Sequence, residues 1–181
     1  PAGIGADALG KVVEIRTANV LPELKECHFR VACDVTNPLC GENGATYIYG
    51  PQKGVTEEMR EGLDEAMGSY AEVTKKSMGT DCALMEGAGA AGGLGFAFLS
   101  FLGAELLPGI ELVLDAVGME KAMEGADLVF TGEGRLDHQT AMGKAPVGIA
   151  RLAKKCGANL IALAGAVVEG AEACHENGID A

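Results

Sequence analysis

The sequence predicts an α/β protein with parallel strands, and three observations support this prediction. Apolar runs at 126–130 and 159–164 alternate with helical patterns at 145–155 and 169–177, which gives the order strand, helix, strand, helix. This order is typical of parallel strands joined by a right-handed crossover. The chain is 48% hydrophobic, a composition that disordered proteins do not have. Its 27 glycines suit helices that pack closely on a sheet.

The first part of the chain is expected to contain two strands. Residues 3–9 show no period and are expected to form a loop. Residues 28–35 alternate and are rich in valine and alanine, which predicts a strand. The dipeptide Asn43–Gly44 precedes residues 45–49, and this arrangement is typical of a β-hairpin. Residues 45–49 are therefore predicted to be a second strand.

The middle of the chain is predicted to be helical. Apolar residues recur at helical spacing from Met59 to Val73. Thr56 is a suitable N-cap for this helix, and Gly79 is a suitable residue to end it. Further helices are expected at 90–102 and around 110–117, with a short turn or helix at 119–124.

The last third changes to the alternating strand and helix pattern, so we place a domain boundary near residue 125. The predicted domains are 1–125 and 126–181. Two parallel strands alone form a poor sheet, because parallel sheets are normally covered on both faces. We therefore expect that partner strands lie outside this chain, that the chain is a piece of a larger protein, and that it associates with itself.

The charge argues against two classes of partner. The chain has 14 basic and 26 acidic residues, which gives a net charge of −12. Nucleic acids and anionic membranes bind basic surfaces, so neither is expected as a partner. The six cysteines have no Cys-x-x-Cys spacing, which disfavours a zinc site. Free cysteines are typical of a reducing compartment, and we expect a cytoplasmic protein.

The stretch from Thr131 to Lys144 contains the groups best suited to bind a ligand. It lies between a predicted strand and a predicted helix, at the carboxyl end of a strand, where open α/β sheets bind ligands. Gly132 and Gly134 allow backbone N–H groups to approach a ligand closely. The alternative is an ordinary strand-to-helix turn with a solvated charge pair, in which His138 is a surface residue.

The side chains of this stretch suit an anionic substrate. Arg135 and Lys144 supply positive charge, and Glu133 or Asp137 can hold a metal ion or accept a proton. Groups that can orient a substrate are present at Thr131, Gln139 and Thr140.

Asp34 and Asn37 form a second candidate for substrate binding, at the end of the predicted strand 28–35. Turn formation alone explains these two residue types. Oxygen ligation of Mg²⁺ or contact with a polyol explains them equally well, and the sequence leaves both interpretations open.

A glycine pattern at Gly87–Gly92 fits G-x-G-x-x-G, which occurs in nicotinamide-binding sites. Such a site also needs a preceding strand, and residues 80–86 form a poor strand pattern. A helix that starts with glycines for close packing is the better interpretation. A Walker A loop is excluded, because Lys144 is followed by Ala145 where that loop needs serine or threonine.

Six segments, taken together and in this order, resemble the type I glycerate kinase family. They extend over nearly the whole chain, at 31–41, 49–54, 87–95, 103–109, 126–137 and 143–146. The resemblance implies transfer of the γ-phosphoryl group of ATP to a hydroxyl group of D-glycerate, with Mg²⁺. It also implies two α/β domains, an inserted domain at 1–125 and part of a Rossmann-like domain at 126–181, with its parallel β-α-β-α segment.

The chemistry of such a reaction suggests roles for the candidate residues. Phosphoryl transfer needs positive charge at the γ-phosphate, which Arg135 and Lys144 can supply. The acceptor hydroxyl needs a carboxylate to receive its proton, either Asp137 or Glu133, and the other carboxylate can hold the metal. The predicted substrate-binding residues are Thr131, Gly132, Gly134, Gln139, Thr140, Asp34 and Asn37.

Two segments of the family are absent from this sequence. They are an N-terminal Ser-Phe-Lys-Gly segment and a Gly-Gly-Ser-Ala-Thr-Asn-Asp-Gly-Gly loop, which are expected to contact phosphate and substrate. This chain is therefore expected to be inactive alone. A nicotinamide-dependent dehydrogenase and a non-catalytic domain that binds small acids remain as alternatives.

Overall fold

The computed structural model describes residue 3, residues 5–141 and residues 145–181, and it has the parallel strands that the sequence predicts. The chain folds into two compact units, the first ending at Leu107 and the second extending from Pro108 to Ala181. By compactness, residues 108–125 therefore group with the C-terminal unit. The predicted domain boundary near residue 125 concerns the domains of a longer protein, and it stays a prediction.

The N-terminal unit contains a two-stranded parallel sheet. Strand β1 (Arg30–Ala32) pairs with β2 (Glu105–Leu107), and Arg30 lies opposite Glu105. The described residues of this unit also form the helices α1 (Ala45–Tyr49), α2 (Glu57–Met78) and α3 (Ala90–Leu102). Short 3₁₀ helices occur at Ala6–Lys11, Pro22–Glu26 and Pro51–Lys53.

The segment 45–49 is a helix, so the predicted strand and hairpin are wrong. The Asn43–Gly44 turn leads directly into α1, where the Ile48 N–H donates to the Gly44 carbonyl oxygen at 3.1 Å. Gly44 has no room for a side chain, because a Cβ atom would lie 2.5 Å from the backbone of Cys40. Burial of the first turn of α1 therefore overrides the strand preference of its aromatic and β-branched residues.

Three smaller differences also concern the N-terminal unit. The expected loop at 3–9 overlaps the 3₁₀ helix Ala6–Lys11, which packs against α2. The strand predicted at 28–35 is reduced to the three residues of β1. Strand β2 was not predicted, because its three residues are too few to show an alternating pattern.

Helix α2 confirms the helix predicted between Thr56 and Gly79. Thr56 occupies the N-cap position, and Gly79 ends the helix in a left-handed conformation with a φ of 76°. One face of α2 packs into the core of the unit, whose buried residues are Leu39, Ala45, Met67, Ala71, Cys82, Ala88 and Phe96. Among the described residues, no helix has the length and apolar character needed to cross a membrane.

The C-terminal unit is built around a second parallel sheet. Strand β3 (Leu128–Leu136) pairs with β4 (Asn159–Val167), and the intervening helix α7 (Ala145–Lys155) packs against both strands. The predicted strand, helix and strand are therefore confirmed. The described part of this unit also contains α4 (Gly109–Ala116), α5 (Met119–Ala122), α6 (His138–Ala141) and α8 (Ala173–Glu176), the last shorter than the predicted 169–177.

Strand β3 continues past its predicted end at Phe130 to Leu136, which lies opposite Val167 of β4. The pairing draws charged residues and glycines, which have low strand propensity, into the sheet. Gly165 allows close contact between the strands, because a Cβ atom there would lie 2.9 Å from the Gly134 carbonyl oxygen.

The two faces of the β3–β4 sheet differ in burial. Val129 and Ala162 pack against a core of Met123, Val147, Ala150, Ala153, Ala158, Leu160, Cys174 and Ile179. On the opposite face, Leu128, Phe130 and Leu163 are 44%, 60% and 62% exposed. We refer to these three residues as the open face.

Candidate functional site

The carboxyl end of β3 leads into α6 through Asp137, which caps this short helix. The Asp137 Oδ1 atom accepts hydrogen bonds from the Thr140 N–H at 3.0 Å and from the Thr140 hydroxyl at 3.2 Å. The Asp137 N–H in turn lies 3.3 Å from the Thr140 hydroxyl oxygen. Thr140 is completely buried. Reciprocal capping between these two residues therefore fixes the turn at the end of the strand.

Arg135 binds the other oxygen of the same carboxylate. Its Nε and Nη2 atoms lie 3.1 Å and 3.0 Å from Asp137 Oδ2. The Asp137 side chain is 13% exposed, whereas the Arg135 side chain is 63% exposed. Because a guanidinium group has five N–H donors, Arg135 can be held by Asp137 and still present donors to an external anion.

The two carboxylates of this segment differ in how many further hydrogen bonds they can accept. An ionised carboxylate has about four lone-pair positions. The contacts from Arg135 and Thr140 fill those of Asp137. Glu133 has a single hydrogen bond to the described residues, from the Gly134 N–H at 3.3 Å. Glu133 is therefore the carboxylate that can still accept a proton or contact a cation.

Thr131, Gly132 and Gly134 lie within β3, so the loop expected at these positions is wrong. Thr131 is opposite Ala162 and Gly132 is opposite Leu163, and neither glycine has a positive φ. Both glycines belong to the strand and do not form a wide turn. Their assignment and that of Thr131 as substrate-binding residues stays a prediction.

Two candidate groups fall beyond what the structure describes. Lys144 lies outside the described residues, and so does the side chain of Gln139. The predicted roles of both stay predictions.

The segment after β4 also borders this end of β3, although it is not part of the site predicted from the sequence. The Val168 N–H donates to the Leu136 carbonyl oxygen at 3.1 Å. A Cβ atom on Gly170 would lie 3.2 Å from the Cβ atom of His138. The parallel order of the strands could have identified this segment, because the carboxyl ends of parallel strands lie at one edge of the sheet.

Cys174 lies behind the capped turn, where it is 2% exposed. Its Sγ atom is 4.0 Å from the Asp137 carbonyl oxygen. Burial, and then the nearby Asp137 charge, raise the pKa of the Cys174 thiol above its ordinary value. The thiol therefore stays protonated near neutral pH, and Cys174 has a packing role rather than a nucleophilic one.

The described residues contain no preformed cluster of Mg²⁺ ligands. Mg²⁺ needs oxygen ligands with available lone pairs, and the donors from Arg135 and Thr140 occupy those of Asp137. No group of three or more histidine, cysteine or acidic side chains in the described part of the chain could hold a metal ion. We therefore derive no step through a metal, and Mg²⁺ stays a prediction.

Asn37 is held by contacts within the N-terminal unit. Its Nδ2 donates to the Asn43 carbonyl oxygen at 2.9 Å, and its Oδ1 accepts a hydrogen bond from the Tyr49 hydroxyl. Its own carbonyl oxygen accepts the Gly89 N–H at 2.9 Å. These contacts favour the structural interpretation of Asn37. Asp34 is exposed shortly after β1, and the substrate contacts predicted for both residues stay predictions.

The glycines at 87–95 serve close packing. A Cβ atom on Gly89 would lie 2.2 Å from the Pro38 carbonyl oxygen, and one on Gly95 would lie 2.0 Å from the Gly87 carbonyl oxygen. The residues before Gly87 form turns and no strand. The nicotinamide alternative therefore lacks the strand-to-helix context that its motif requires.

Comparison with known proteins agrees with the resemblance found in the sequence. The profile of the glycerate kinase family matches residues 1–181. The glycerate 2-kinase of Escherichia coli (strain K12) is 48% identical over 179 residues, which are 99% of this chain and 47% of that protein. A glycerate kinase of Halalkalibacterium halodurans is 46% identical over 181 residues, which are 100% of this chain and 48% of that protein.

A solved structure extends the comparison to three dimensions. The crystal structure of a candidate glycerate kinase 2 from Salmonella typhimurium LT2 has a TM-score of 0.82 and 43% identity, and the match covers 92% of this chain and 47% of that one. The chain thus spans about half the length of the relatives that it matches. Because the family profile matches every part of the sequence, the chain belongs to the glycerate kinase family.

Proposed function

We propose that the intact protein transfers the γ-phosphoryl group of ATP to a hydroxyl group of D-glycerate. The observation that carries this proposal is the family match along the entire chain, which includes the β3–α6 segment. Two relatives named as glycerate kinases, at 48% and 46% identity, support it. Since the first of these is named a glycerate 2-kinase, we extend the proposal to the 2-hydroxyl group.

In this proposal, Arg135 binds an anionic oxygen of the reacting groups. Phosphoryl transfer is catalysed mainly by positioning and by neutralisation of charge. The exposed guanidinium, held in place by Asp137, meets both needs. Lys144 is proposed as a second cation, and Lys144→Ala is expected to lower kcat/KM by ~10²-fold or more.

Glu133 is proposed to receive the proton of the acceptor hydroxyl. The hydroxyl oxygen forms a bond to the γ-phosphorus as the bond from that phosphorus to ADP breaks, and the hydroxyl proton passes to the Glu133 carboxylate. Asp137 is proposed as a positioning residue, because Arg135 and Thr140 already occupy its lone pairs.

An assay that couples ADP release to D-glycerate consumption in the intact protein tests the activity. We expect turnover that depends on both ATP and D-glycerate, and ³¹P NMR should identify the product as the 2-phosphate. A 3-phosphate product would overturn the regiochemistry and leave the kinase proposal standing. Binding of D-glycerate without ADP release would instead support a non-catalytic acid-binding domain, and tight NADH binding without an ATP response would support a dehydrogenase.

Two isosteric variants separate the roles of the carboxylates. Glu133→Gln should lower kcat by ~10²-fold or more, as expected for loss of a general base. Asp137→Asn keeps a capping oxygen and loses the charge that holds Arg135, so we expect a smaller loss, mainly in KM. Asp127→Asn, an exposed position just before β3, is the matched control and should leave both parameters within about twofold. A larger loss of kcat in Asp137→Asn than in Glu133→Gln would assign proton transfer to Asp137.

A further inference from the structure

The N-terminal unit contains a cavity that the proposed chemistry does not use. Its volume is about 270 Å³, which equals the volume that roughly nine water molecules occupy in the liquid at ~30 Å³ each. It lies among α1, the 3₁₀ helix Pro51–Lys53, α2 and the start of α3. The apolar wall is formed by Ala6, Ala45, Val55, Leu63 and Met67, and the polar groups come from Thr46, Tyr49 and Lys53.

Lys53 gives this cavity a positive charge that no described carboxylate neutralises as an ion pair. Its Nζ atom lies 3.6 Å from the position that a Cβ atom on Gly92 would occupy. Among the described residues, no carboxylate forms an ion pair with Lys53. The described residues that line the cavity include no aspartate or glutamate.

A larger cavity in the C-terminal unit provides a contrast. It has a volume of about 370 Å³ and is lined by Glu111, Asp115 and Glu120 as well as by Arg151 and Lys155. The Lys155 Nζ atom lies 2.7 Å from Glu120, so positive charge is already balanced there. The cavity at Lys53 is therefore the better candidate for an anionic ligand.

Two hydroxyl groups add polar contacts beside Lys53. Thr46 is 7% exposed and lines the cavity, where its hydroxyl can donate and accept hydrogen bonds. The Tyr49 hydroxyl donates its hydrogen to Asn37, which leaves its oxygen able to accept. A ligand with an anionic head and a hydroxyl group would satisfy all three side chains.

The wall beside Lys53 is a segment of main chain with unusual backbone angles. Ala91, Gly92 and Gly93 have left-handed φ angles of 51°, 73° and 101°, and Ala91 pays the steric cost of that conformation. The surrounding packing maintains this geometry, because a Cβ atom on Gly93 would lie 2.9 Å from Met67. The segment thus presents small residues and backbone to the cavity, where larger side chains would fill it.

We propose that this cavity binds the anionic head of a small hydroxylated organic molecule, with Lys53 as the charged contact and the Thr46 hydroxyl as a second contact. The head is a carboxylate or a phosphate group. The inference goes beyond the proposed function, because it assigns a binding site to the N-terminal unit, whereas the groups proposed for catalysis lie at the β3–α6 segment or follow it.

Lysine modification on the intact protein tests the site directly and without ATP. The extent of reductive methylation at each lysine is measured by mass spectrometry in the presence of D-glycerate, inorganic phosphate or glycerol. Each probe is used at ~10 mM, which would largely saturate a site with a Kd of ~1 mM. We expect D-glycerate or phosphate, and not glycerol, to protect Lys53. The anion that protects at the lower concentration identifies the head as carboxylate or phosphate. Lys25 is the internal control, since it also lies near the end of an exposed 3₁₀ helix that begins with proline.

Binding measurements on variants complete the test. Lys53→Met should weaken binding of the protecting anion by ~10-fold or more, as expected for loss of a charge-assisted hydrogen bond. Lys53→Arg should restore most of the affinity, and Lys25→Met should leave it unchanged. Equal methylation of Lys53 with all three probes, or full affinity in Lys53→Met, would overturn the inference. Kinase turnover with an unprotected Lys53 would overturn this inference alone, and protection of Lys53 without turnover would overturn the proposed function alone.

Discussion

Asp180 links three parts of the C-terminal unit through one side chain. Its two oxygens lie 2.6 Å and 2.8 Å from Lys154 Nζ, and Oδ2 also accepts the Leu160 N–H at 2.7 Å. The hydrogen bond from Lys154 and then that from Leu160 lower the pKa of the Asp180 carboxyl group below its ordinary value. The contact thus ties α7 and β4 to the segment that follows α8.

Asp180→Asn is expected to cause a small decrease in Tm at pH 7. Because the pKa of Asp180 is lowered in the folded state, the stabilisation is complete above the unfolded-state pKa of ~3.9 and is lost as the pH falls through the folded value. The difference in Tm between the two proteins should therefore shrink in that acidic range. Thermal unfolding measured at pH 7 and near pH 3 checks this, with Asp127→Asn as the control. A difference that is the same at both pH values would show that the effect is not ionic.

Single residues in the candidate site were predictable by type and less so by role. The segment from Thr131 onward contains the expected cations and carboxylates, and Arg135 is exposed as an anion ligand should be. The distinct positions of Asp137 and Glu133 could not be predicted, because capping by Thr140 depends on a helix of only four residues. Such a short element has no sequence period.

Helices α4 and α7 approach closely at a glycine. A Cβ atom on Gly148 would lie 2.7 Å from Ile110 Cγ1 and 2.8 Å from its Cγ2. Gly62 of α2 is also helical, but a Cβ atom there would meet nothing within 4 Å. Alanine substitutions at these two positions therefore distinguish the effect of helix propensity on stability from the effect of packing.

Gly148→Ala is expected to destabilise the protein by ~1–3 kcal/mol, because the added methyl group overpacks the contact with Ile110. Gly62→Ala should stabilise it by ~0.5–1 kcal/mol through helix propensity alone. Chemical denaturation of each variant measures these changes. Stabilisation by Gly148→Ala would mean that α4 moves freely relative to α7.

The open face of the β3–β4 sheet has an expected consequence for the 181-residue chain studied alone. Phe130 and Leu163 are 60% and 62% exposed, and exposed apolar strands tend to associate. We expect the chain to self-associate at micromolar concentration. Phe130→Thr combined with Leu163→Thr, which keeps strand propensity, should make it monomeric in sedimentation experiments. An unchanged mass distribution in the double variant would place the contact elsewhere.

Elements with a clear period were predictable, and elements decided by tertiary contacts were not. Helix α2 has helical spacing along its whole length and suitable residues at both ends. Helix α1 has the composition of a strand and becomes helical because its first turn is buried. Strand β3 passes through Gly132 and Gly134 because β4 pairs with it. The pairing partner, and not the local sequence, determines where this strand ends.

The whole molecule invites a comparison between this chain and the intact protein. The chain spans 47% of its E. coli relative. We expect the 181-residue chain to release no ADP from ATP in the presence of D-glycerate, because phosphoryl transfer needs all of its charged groups in place at once. The intact protein is the positive control in the same coupled assay. Turnover by the chain alone, at a rate near that of the intact protein, would contradict this expectation.

The parallel pairing of β3 and β4 also sets an order of events during translation. Leu128 pairs with Asn159, so α6 and α7 must leave the ribosome before β3 meets its partner. Strands of a hairpin avoid this delay, since they can pair once a short turn has formed. Until β4 has been synthesised, Phe130 and its neighbours form an unpaired apolar segment of nascent chain, of the kind that chaperones bind. Slower elongation through α7 should therefore prolong chaperone contact, and codon choice within that helix becomes a determinant of the yield of folded protein.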